Sequence, residues 1–311
     1  MSAEENKKDW SKDYLREMLV HQRQFMWFED TLDKFSAWLK LRHGLTVIDV
    51  GCGLGYLGYA FWPYFGRGGK YIGVDQSGEL INDARQASLE WARDGVAEFT
   101  RGDAYKLPLP EDFADVVMCQ TLLMHLDKPE GVLAQMIRVA KPGGLVVCFE
   151  PDNLSAMLAR PFHSLQEFDL DEILLMTKIK LISYKGRLRL GDGDNNIGSR
   201  VPHMMKLGGL IDIDIRMNDR VFYLEPPYET PLQQHRLKGL KSRWFNEKNY
   251  DFLLQEQKKE FLAGDGDPAD FEKSIPIINR LREDIRKQLE NDEYYMCGGT
   301  QFYIIKGRKP K

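Results

Sequence analysis

A glycine-rich segment near residue 50 has the residue types and the position of a ligand-binding turn. Gly51, Gly53 and Gly55 follow the apolar run Thr46–Val50, and a helix-like segment begins at Tyr56. Glycines let the backbone turn tightly and approach a ligand without interference from a Cβ. The amino end of the following helix would add free N–H groups and a positive dipole end. Such a site suits an anionic pyrophosphate as well as an amino-acid carboxylate.

Three carboxylates bear on which cofactor this turn would hold. The segment Gly53–Gly58 also matches the G-x-G-x-x-G pattern of dinucleotide sites, so the glycines alone leave both cofactors open. Asp75 ends the second apolar run, where it would accept hydrogen bonds from the ribose hydroxyls of either cofactor. Asp49, before the first glycine, would repel a pyrophosphate but can orient a cationic amino group. Asp103 follows the third run, where it can accept from the adenine amine.

Short apolar runs alternate with amphipathic segments between residues 45 and 150. The predicted strands in this region are Thr46–Val50, Lys70–Val74, Ala97–Thr100, Asp115–Cys119 and Gly144–Phe149. The predicted helices between them are Tyr56–Phe65, Gly78–Arg93 and Glu130–Ala140. Later strands are predicted at Leu210–Arg216 and Thr300–Lys306. Alternating strands and helices imply right-handed crossovers and an α/β fold with a doubly wound, mostly parallel sheet.

The 311 residues divide into four predicted parts. Residues 1–44 form an N-terminal helical cap, and residues 45–217 form the cofactor-binding core. Residues 218–293 are a charge-rich helical insertion that we expect to act as a lid over the substrate. Residues 294–311 supply the last strand of the core.

These segments together resemble the class I, Rossmann-like methyltransferases. The resemblance depends on five pieces in the family's order and spacing, namely Val47–Gly55, Gly73–Asp75, Gly102–Ala104, Asp115–Cys119 and Arg138–Gly144. The likeness is greatest to the small-molecule branch that includes ubiquinone/menaquinone-type methyltransferases. The resemblance implies a seven-stranded sheet, S-adenosyl-L-methionine as the cofactor, and methyl transfer to a small-molecule acceptor by in-line displacement.

The resemblance also implies a role for each matching residue. The residues that would hold the methionine end of the cofactor are Asp49, Gly51, Cys52 and Gly53, of which Cys52 would contribute only its backbone. The residues that would bind the ribose and the adenine are Asp75, Gln76, Asp103 and Ala104. Just past the fourth strand, Gln120 and Thr121 would contact the methionyl backbone or the ribose.

Two histidines are candidates for a catalytic base or for orienting the acceptor. His125 follows the fourth strand, at the crevice where ligands bind in open α/β sheets, and His203 lies on the helix before the sixth strand. Each could instead be a packing or a surface histidine. The candidates for substrate-binding aromatic surface are Tyr14, Trp27 and Tyr228, and each of these could equally pack in a core.

Composition and charge narrow the function classes. A net charge of −4 gives no bulk attraction to a phosphate backbone, so a nucleic-acid partner is not expected. The basic stretch Arg236–Lys248 still leaves an RNA or protein methyltransferase as an alternative, beside a non-catalytic cofactor-binding protein and a dinucleotide oxidoreductase. Four cysteines without a C-x-x-C pair predict neither a metal site nor a disulfide framework. With no signal peptide and no apolar run of about 20 residues, we expect a cytoplasmic protein without a membrane span.

Overall fold

The computed structural model describes residues 27–154, 168–219, 221–299 and 301–311. The strands, numbered in chain order, are β1 (Thr46–Val50), β2 (Lys70–Asp75), β3 (Val96–Arg101), β4 (Ala114–Gln120), β5 (Ala140–Asp152), β6 (Ile211–Met217), β7 (Phe222–Leu224), β8 (Met296–Gly298) and β9 (Gln301–Arg308). The helices are α1 (Glu29–Leu39), α2 (Tyr56–Phe65), α3 (Gly78–Trp91), α4 (Pro129–Val139), α5 (Leu170–Arg189), α6 (Val201–Leu207), α7 (Pro231–Phe245), α8 (Glu247–Ala263) and α9 (Pro268–Glu290).

A seven-stranded sheet with the order β3-β2-β1-β4-β5-β9-β6 forms the centre of the fold. The pairs from β3 to β5 are parallel, whereas β9 runs antiparallel to both of its neighbours. The predicted α/β fold with a doubly wound, mostly parallel seven-stranded sheet is therefore confirmed. The strand order reverses between β1 and β4, and in open α/β sheets the crevice at such a reversal is where ligands bind.

Apolar side chains on both faces of the sheet explain why helices cover it on two sides. Along β1, Ile48 and Val50 join the cluster that contains the buried residues of α4 and α6. Val47 joins the opposite cluster, which contains Phe35 and Leu39 of α1 together with the buried residues of α2 and α3. A strand that is buried on both faces is apolar at most positions, and β1 follows this rule except at the buried Asp49.

The strands differ from their predicted bounds chiefly at β5. It begins at Ala140, where it pairs with Ala114, and it continues to Asp152, where it pairs with Gln301. The prediction placed only Gly144–Phe149 in this strand because Pro142 and the following glycines are typical of a turn. A register shift in the pairing with β4 accommodates those residues.

A second group of helices has a hydrophobic core of its own, separate from the sheet, and a sequence pattern that lacks alternating strands. It contains α7, α8 and α9, as the predicted insertion does, and also α5, which precedes β6 in the chain. α5 and α8 pack so closely that a Cβ added at Gly186 would lie 1.6 Å from the carbonyl oxygen of Glu260. β7 and β8 pair into a small antiparallel sheet, so the segment after residue 293 first joins the insertion and only then enters the central sheet.

Candidate functional site

The glycine turn has the strained backbone that its sequence predicts. Gly51, Gly53 and Gly55 have φ values of 69°, 52° and 77°, a region that side chains other than glycine rarely adopt. The carbonyl of Val74 accepts hydrogen bonds from the backbone N–H groups of Gly51 at 2.7 Å and Cys52 at 3.1 Å, which fixes the turn to β2. A Cβ added at Gly53 would have no atom within 4 Å, so this side of the turn is open.

Asp75 joins the end of β2 to the same turn. One carboxylate oxygen accepts a hydrogen bond from the backbone N–H of Gly53 at 2.9 Å, and the other accepts from the N–H of Ser77 at 2.9 Å. Burial raises the pKa of Asp75 above its usual value, although these backbone N–H groups oppose the shift. Each oxygen keeps further acceptor capacity, so the carboxylate is held in place and can still accept from ligand hydroxyls.

Asp49 lies beneath the turn, in the core. It is 1% exposed, and its carboxylate accepts a hydrogen bond from the hydroxyl of Tyr71 at 2.7 Å. The buried carboxylate in turn raises the pKa of the Tyr71 hydroxyl, second to burial itself. No sequence pattern predicts the pairing of these two residues. Contact of Asp49 with a cofactor amino group stays a prediction. The thiol of Cys52 is also buried in this core, in agreement with a role for its backbone alone.

The predicted adenine residues lie at the carboxyl ends of β2 and β3. Asp103 is exposed, and its carboxylate accepts from the backbone N–H of Tyr105 at 2.9 Å, as in a turn. Ala104 is half-buried against the sheet cluster. Gln76 is exposed, and its carbonyl accepts from Nε of Arg101 at 3.0 Å. The three residues therefore lie on the rim of the crevice, where adenine contact stays a prediction.

The loop after β4 forms the opposite wall of this crevice. Gln120 is buried, and Thr121 has a φ of 48° with its backbone N–H bonded to the carbonyl of Phe149 at 2.9 Å. A Cβ added at Gly51 would lie 2.7 Å from the side chain of Leu122, so the loop and the glycine turn are in close contact. The structure thus brings together Gln120, Thr121 and the glycine turn, which the sequence predicted to share one site.

Glu150 organises this loop, and the sequence analysis did not single it out. Its carboxylate is fully buried and accepts from the backbone N–H groups of Leu122 at 3.0 Å, Leu123 at 2.8 Å and Met124 at 3.3 Å. A buried charge is tolerated when hydrogen bonds replace its lost water. The available signal was an acidic residue at the end of the apolar strand β5, directly before Pro151.

His125 ends the short 3₁₀ turn that Glu150 holds. It is half-buried, and the segment 191–194 packs against its backbone. Gly193 has a φ of 83°, and a Cβ there would lie 2.2 Å from the carbonyl oxygen of Met124 and 2.8 Å from Cα of His125. His125 therefore lies between the loop after β4 and the segment that leads from α5 to α6. Its use as a base stays a prediction.

The remaining candidates do not join the crevice as a group. His203 is exposed on α6, whose buried residues Val201, Met204 and Met205 face the sheet. Trp27 packs edge-on against Phe149, with ring centroids 5.6 Å apart. Tyr14 lies outside the described residues.

Tyr228 lies in a packed core and not on an aromatic surface. It is 5% exposed, and its hydroxyl donates to the carbonyl of Tyr294 at 2.8 Å. Together with Leu224, Leu237 and Ile285 it forms the core of the insertion. Contact of Tyr228 with a substrate stays a prediction, while its ring and its hydroxyl are both used in packing. The sequence could not separate this from an aromatic surface, because both need an aromatic residue beside a turn.

The described ranges lack a membrane-spanning helix and a metal-binding cluster. None of the helices there is long and apolar enough to cross a membrane. In the same part of the chain, no three His, Cys, Asp or Glu side chains are grouped so that they could hold a metal ion.

Comparison with known proteins identifies the core. Residues 41–187 match the family model described as a methyltransferase domain, and this segment contains the glycine turn, Asp75, Asp103 and the loop after β4. The resemblance predicted from the sequence is confirmed for this segment: residues 41–187 match a methyltransferase domain.

Two curated relatives and one solved structure are similar to the chain. An uncharacterized methyltransferase of Schizosaccharomyces pombe is 39% identical over 115 residues, which cover 35% of this chain and 41% of the relative. A demethylmenaquinone methyltransferase of Oceanobacillus iheyensis is 32% identical over 138 residues, or 44% of this chain and 56% of the relative. The chain thus spans about half the length of these relatives.

The solved structure is the complex between the Haloferax volcanii Trm112 methyltransferase activator and a methyltransferase. It aligns with a TM-score of 0.50 and 16% identity, over 97% of this chain and 96% of that one. At this identity the likeness shows the fold alone.

Proposed function

We propose that this chain, whose residues 41–187 are a methyltransferase domain, transfers a methyl group from S-adenosylmethionine to a small-molecule acceptor. The observation that carries the proposal is the contact between Asp75 and Gly53. It holds an acceptor of hydrogen bonds at the end of β2 beside the open side of the glycine turn. A diol-bearing nucleoside and its amino-acid tail need these two features at adjacent places.

The residues of the crevice fit S-adenosylmethionine better than a dinucleotide. Asp49 beneath the turn and Asp75 beside it put two carboxylates where a pyrophosphate would bring two more negative charges. The ammonium group and the sulfonium of S-adenosylmethionine are positively charged and suit the same place. Asp75 would hold the ribose hydroxyls, Asp103 and Ala104 would contact the adenine, and the backbone from Gly51 to Gly53 would hold the methionine end.

The protein contributes alignment rather than chemical activation. When bound, the cofactor supplies an electrophilic methyl group, and the reaction is an in-line displacement at that carbon. The chain's own residues hold the two reactants in line and keep water out, effects that supply on the order of 7–11 kcal/mol in favourable cases. The loop after β4 is suited to this task because Glu150 fixes its backbone at three N–H groups. His125 on that loop would accept a proton if the acceptor atom carries one.

Two features support a small molecule as the acceptor. The curated relative from Oceanobacillus iheyensis is named for methylation of demethylmenaquinone, a small molecule. The basic residues of the insertion are not one free strip: Arg236 lies over the ring of Phe222, 3.0 Å from its centroid. An RNA or protein substrate remains the second candidate.

All four cysteines are free thiols, which supports a reducing compartment such as the cytoplasm.

The formation of S-adenosylhomocysteine tests this proposal. We expect S-adenosylhomocysteine to form with at least one member of a library of small acceptors. With RNA at low ionic strength we expect neither turnover nor salt-sensitive retention of the protein. Turnover with RNA or a protein alone would overturn the small-molecule acceptor. Absence of turnover with every acceptor, in a protein that binds the cofactor, would favour a non-catalytic binding protein.

A further inference from the structure

A cavity of about 360 Å³ lies among the helices of the second group, outside the crevice described above. Its described lining comes from α5, α7, α8 and α9, with Leu154 after β5 and Asn195 and Asn196 before α6. Its volume is in the range of small-molecule pockets, about 300–1,000 Å³. The position between helices is also a common place for such pockets.

Arg187 is the buried polar group of this cavity. Its side chain is only 5% exposed, and its guanidinium donates to Oε1 of Glu260 at 3.2 Å and to the carbonyl of Asp192. Its Nε is buried and has no hydrogen-bond partner among the described residues. Arginine stays charged in proteins, so an unmatched N–H here is a cost that a bound acceptor atom would remove.

The other lining residues define what else a ligand would meet. Two more cations, Lys180 and Arg243, and one more carboxylate, Glu256, line the cavity, so cations outnumber carboxylates by three to two. The rest of the wall is largely aromatic and aliphatic, formed by Tyr184, Trp244, Tyr250, Leu253, Leu254 and Ile278. This combination suits an anionic group joined to an apolar body.

The cavity adjoins the predicted methyl-transfer site through one short segment. Gly193 packs against the backbone of Met124 and His125, and two residues later Asn195 lines the cavity. Asn196, also in its wall, accepts a hydrogen bond from the backbone N–H of Leu154, just past the carboxyl end of β5. A ligand in the cavity would therefore lie at the carboxyl edge of the sheet, where acceptors bind in open α/β folds.

We infer that this cavity binds an oxyanion of the methyl acceptor, so that the acceptor is a small carboxylate or phosphate ester with an apolar body. The identification of the ligand as the methyl acceptor rests on the proposed function. The binding of an anion in the cavity does not depend on it. Arg187 receives the oxyanion, Arg243 adds charge at the exposed side, and the rings of Trp244 and Tyr250 pack against the apolar body.

Binding of three matched probes to the full chain tests the inference by calorimetry. The probes are 4-phenylbutyrate, 4-phenylbutyl phosphate and the uncharged 4-phenylbutan-1-ol. We expect at least one anion to bind with 1:1 stoichiometry and at least tenfold more tightly than the alcohol. The anion that binds distinguishes a carboxylate from a phosphate ester. Equal binding of the alcohol, or no binding of either anion at millimolar concentration, would overturn the inference.

Three single variants give effects of different sign. R243Q removes a lining cation and should weaken anion binding about fivefold, while E256Q removes a lining carboxylate and should strengthen it about threefold. K241Q changes an exposed cation on the same helix that does not line the cavity, and it should have no effect. Equal effects of R243Q and K241Q would contradict the site, since they would reflect overall charge only.

Arg187 itself needs a paired change, because removing it alone leaves the half-buried Glu260 without its cation. The double variant R187M/E260M removes both charges, and we expect it to lose the preference for the anion over the alcohol. S-adenosylhomocysteine binding should stay unchanged in all of these variants. Loss of anion preference with intact cofactor binding therefore separates this inference from the proposed function.

Discussion

Asp75 is the residue on which the proposed recognition of the cofactor depends. Its oxygens bond to Gly53 and Ser77, so the carboxylate cannot rotate away from the turn. We expect D75N to weaken S-adenosylhomocysteine binding by about 10- to 100-fold, because a charged acceptor contributes roughly 1.5–3 kcal/mol to a hydrogen bond. The amide of Asn replaces one of the two oxygens that accept from backbone N–H groups with a donor, so D75N should also unfold at a lower temperature than the wild type.

The raised pKa of Asp75 also fixes the direction of the pH dependence. Ribose hydroxyls donate to the ionised carboxylate, so affinity is full above the pKa and falls as the pH drops through it. Because burial raises this pKa, the fall begins at a higher pH than for an ordinary aspartate. Calorimetric titrations between pH 4 and 8 should show this loss in the wild type and not in D75N. The same slope in both proteins would assign the pH effect to another group.

Substitution of Glu150 tests whether the loop after β4 is preorganised. E150Q removes the charge that three backbone N–H groups surround, and we expect a loss of about 2–3 kcal/mol in the free energy of unfolding. As Glu150 acts through the loop, kcat should fall more than the affinity for S-adenosylhomocysteine. D152N, two residues further along the chain, serves as the control. A fall in affinity as large as the fall in kcat would contradict a positioning role.

At the scale of elements, the packing of α5 on α8 depends on two glycines. Cβ atoms at Gly186 and Gly264 would lie 1.6 Å and 2.1 Å from backbone carbonyl oxygens of the facing helix. Such a crossing admits no side chain, so G186A must separate the helices. We expect it to lower the free energy of unfolding by about 3 kcal/mol. L188A, on the exposed face of the same helix, should lower the free energy of unfolding by less than about 1 kcal/mol. Thermal unfolding of both variants measures the difference. Equal costs would contradict the close crossing.

The sheet was predictable from sequence, whereas the assembly of the helical group was not. Strands such as Thr46–Val50 and the helix Tyr56–Phe65 have the observed bounds because burial on both faces and a glycine turn are local signals. That α5 packs on α8 depends on contacts between residues about 75 positions apart, and no local pattern encodes them. Amphipathic periodicity predicts a helix but not its partner.

The candidate site, too, was predictable from sequence only in part. Asp75 and Gly53 were predictable because their positions at strand ends bring them to one crevice. Glu150 was not, since its task depends on the exact path of a loop 26 to 28 residues away. The packing of Tyr228 was not predictable either, because the core of the insertion, which it completes with Tyr294, becomes visible only in three dimensions.

At the scale of the whole molecule, the central sheet and the helical group contribute different sites. The sheet presents the glycine turn, Asp75 and the loop after β4 at one edge, and the helical group carries a charged cavity beside that edge. One segment, with Gly193 against His125 and Asn195 at the cavity, connects them. We therefore propose that the helical group selects the acceptor and that the sheet binds the cofactor.

Binding of S-adenosylhomocysteine and NAD to wild type, G53A and G68A is the most direct test of the central claim. Gly53 and Gly68 both have positive φ, 52° and 62°, and a Cβ at either has no atom within 4 Å. Both variants should therefore lose a similar stability, about 1 kcal/mol. We expect S-adenosylhomocysteine to bind the wild type and G68A alike, to bind G53A at least 30-fold more weakly, and NAD to bind none of them. Binding of NAD alone, or equal binding of S-adenosylhomocysteine to G53A and G68A, would contradict the account.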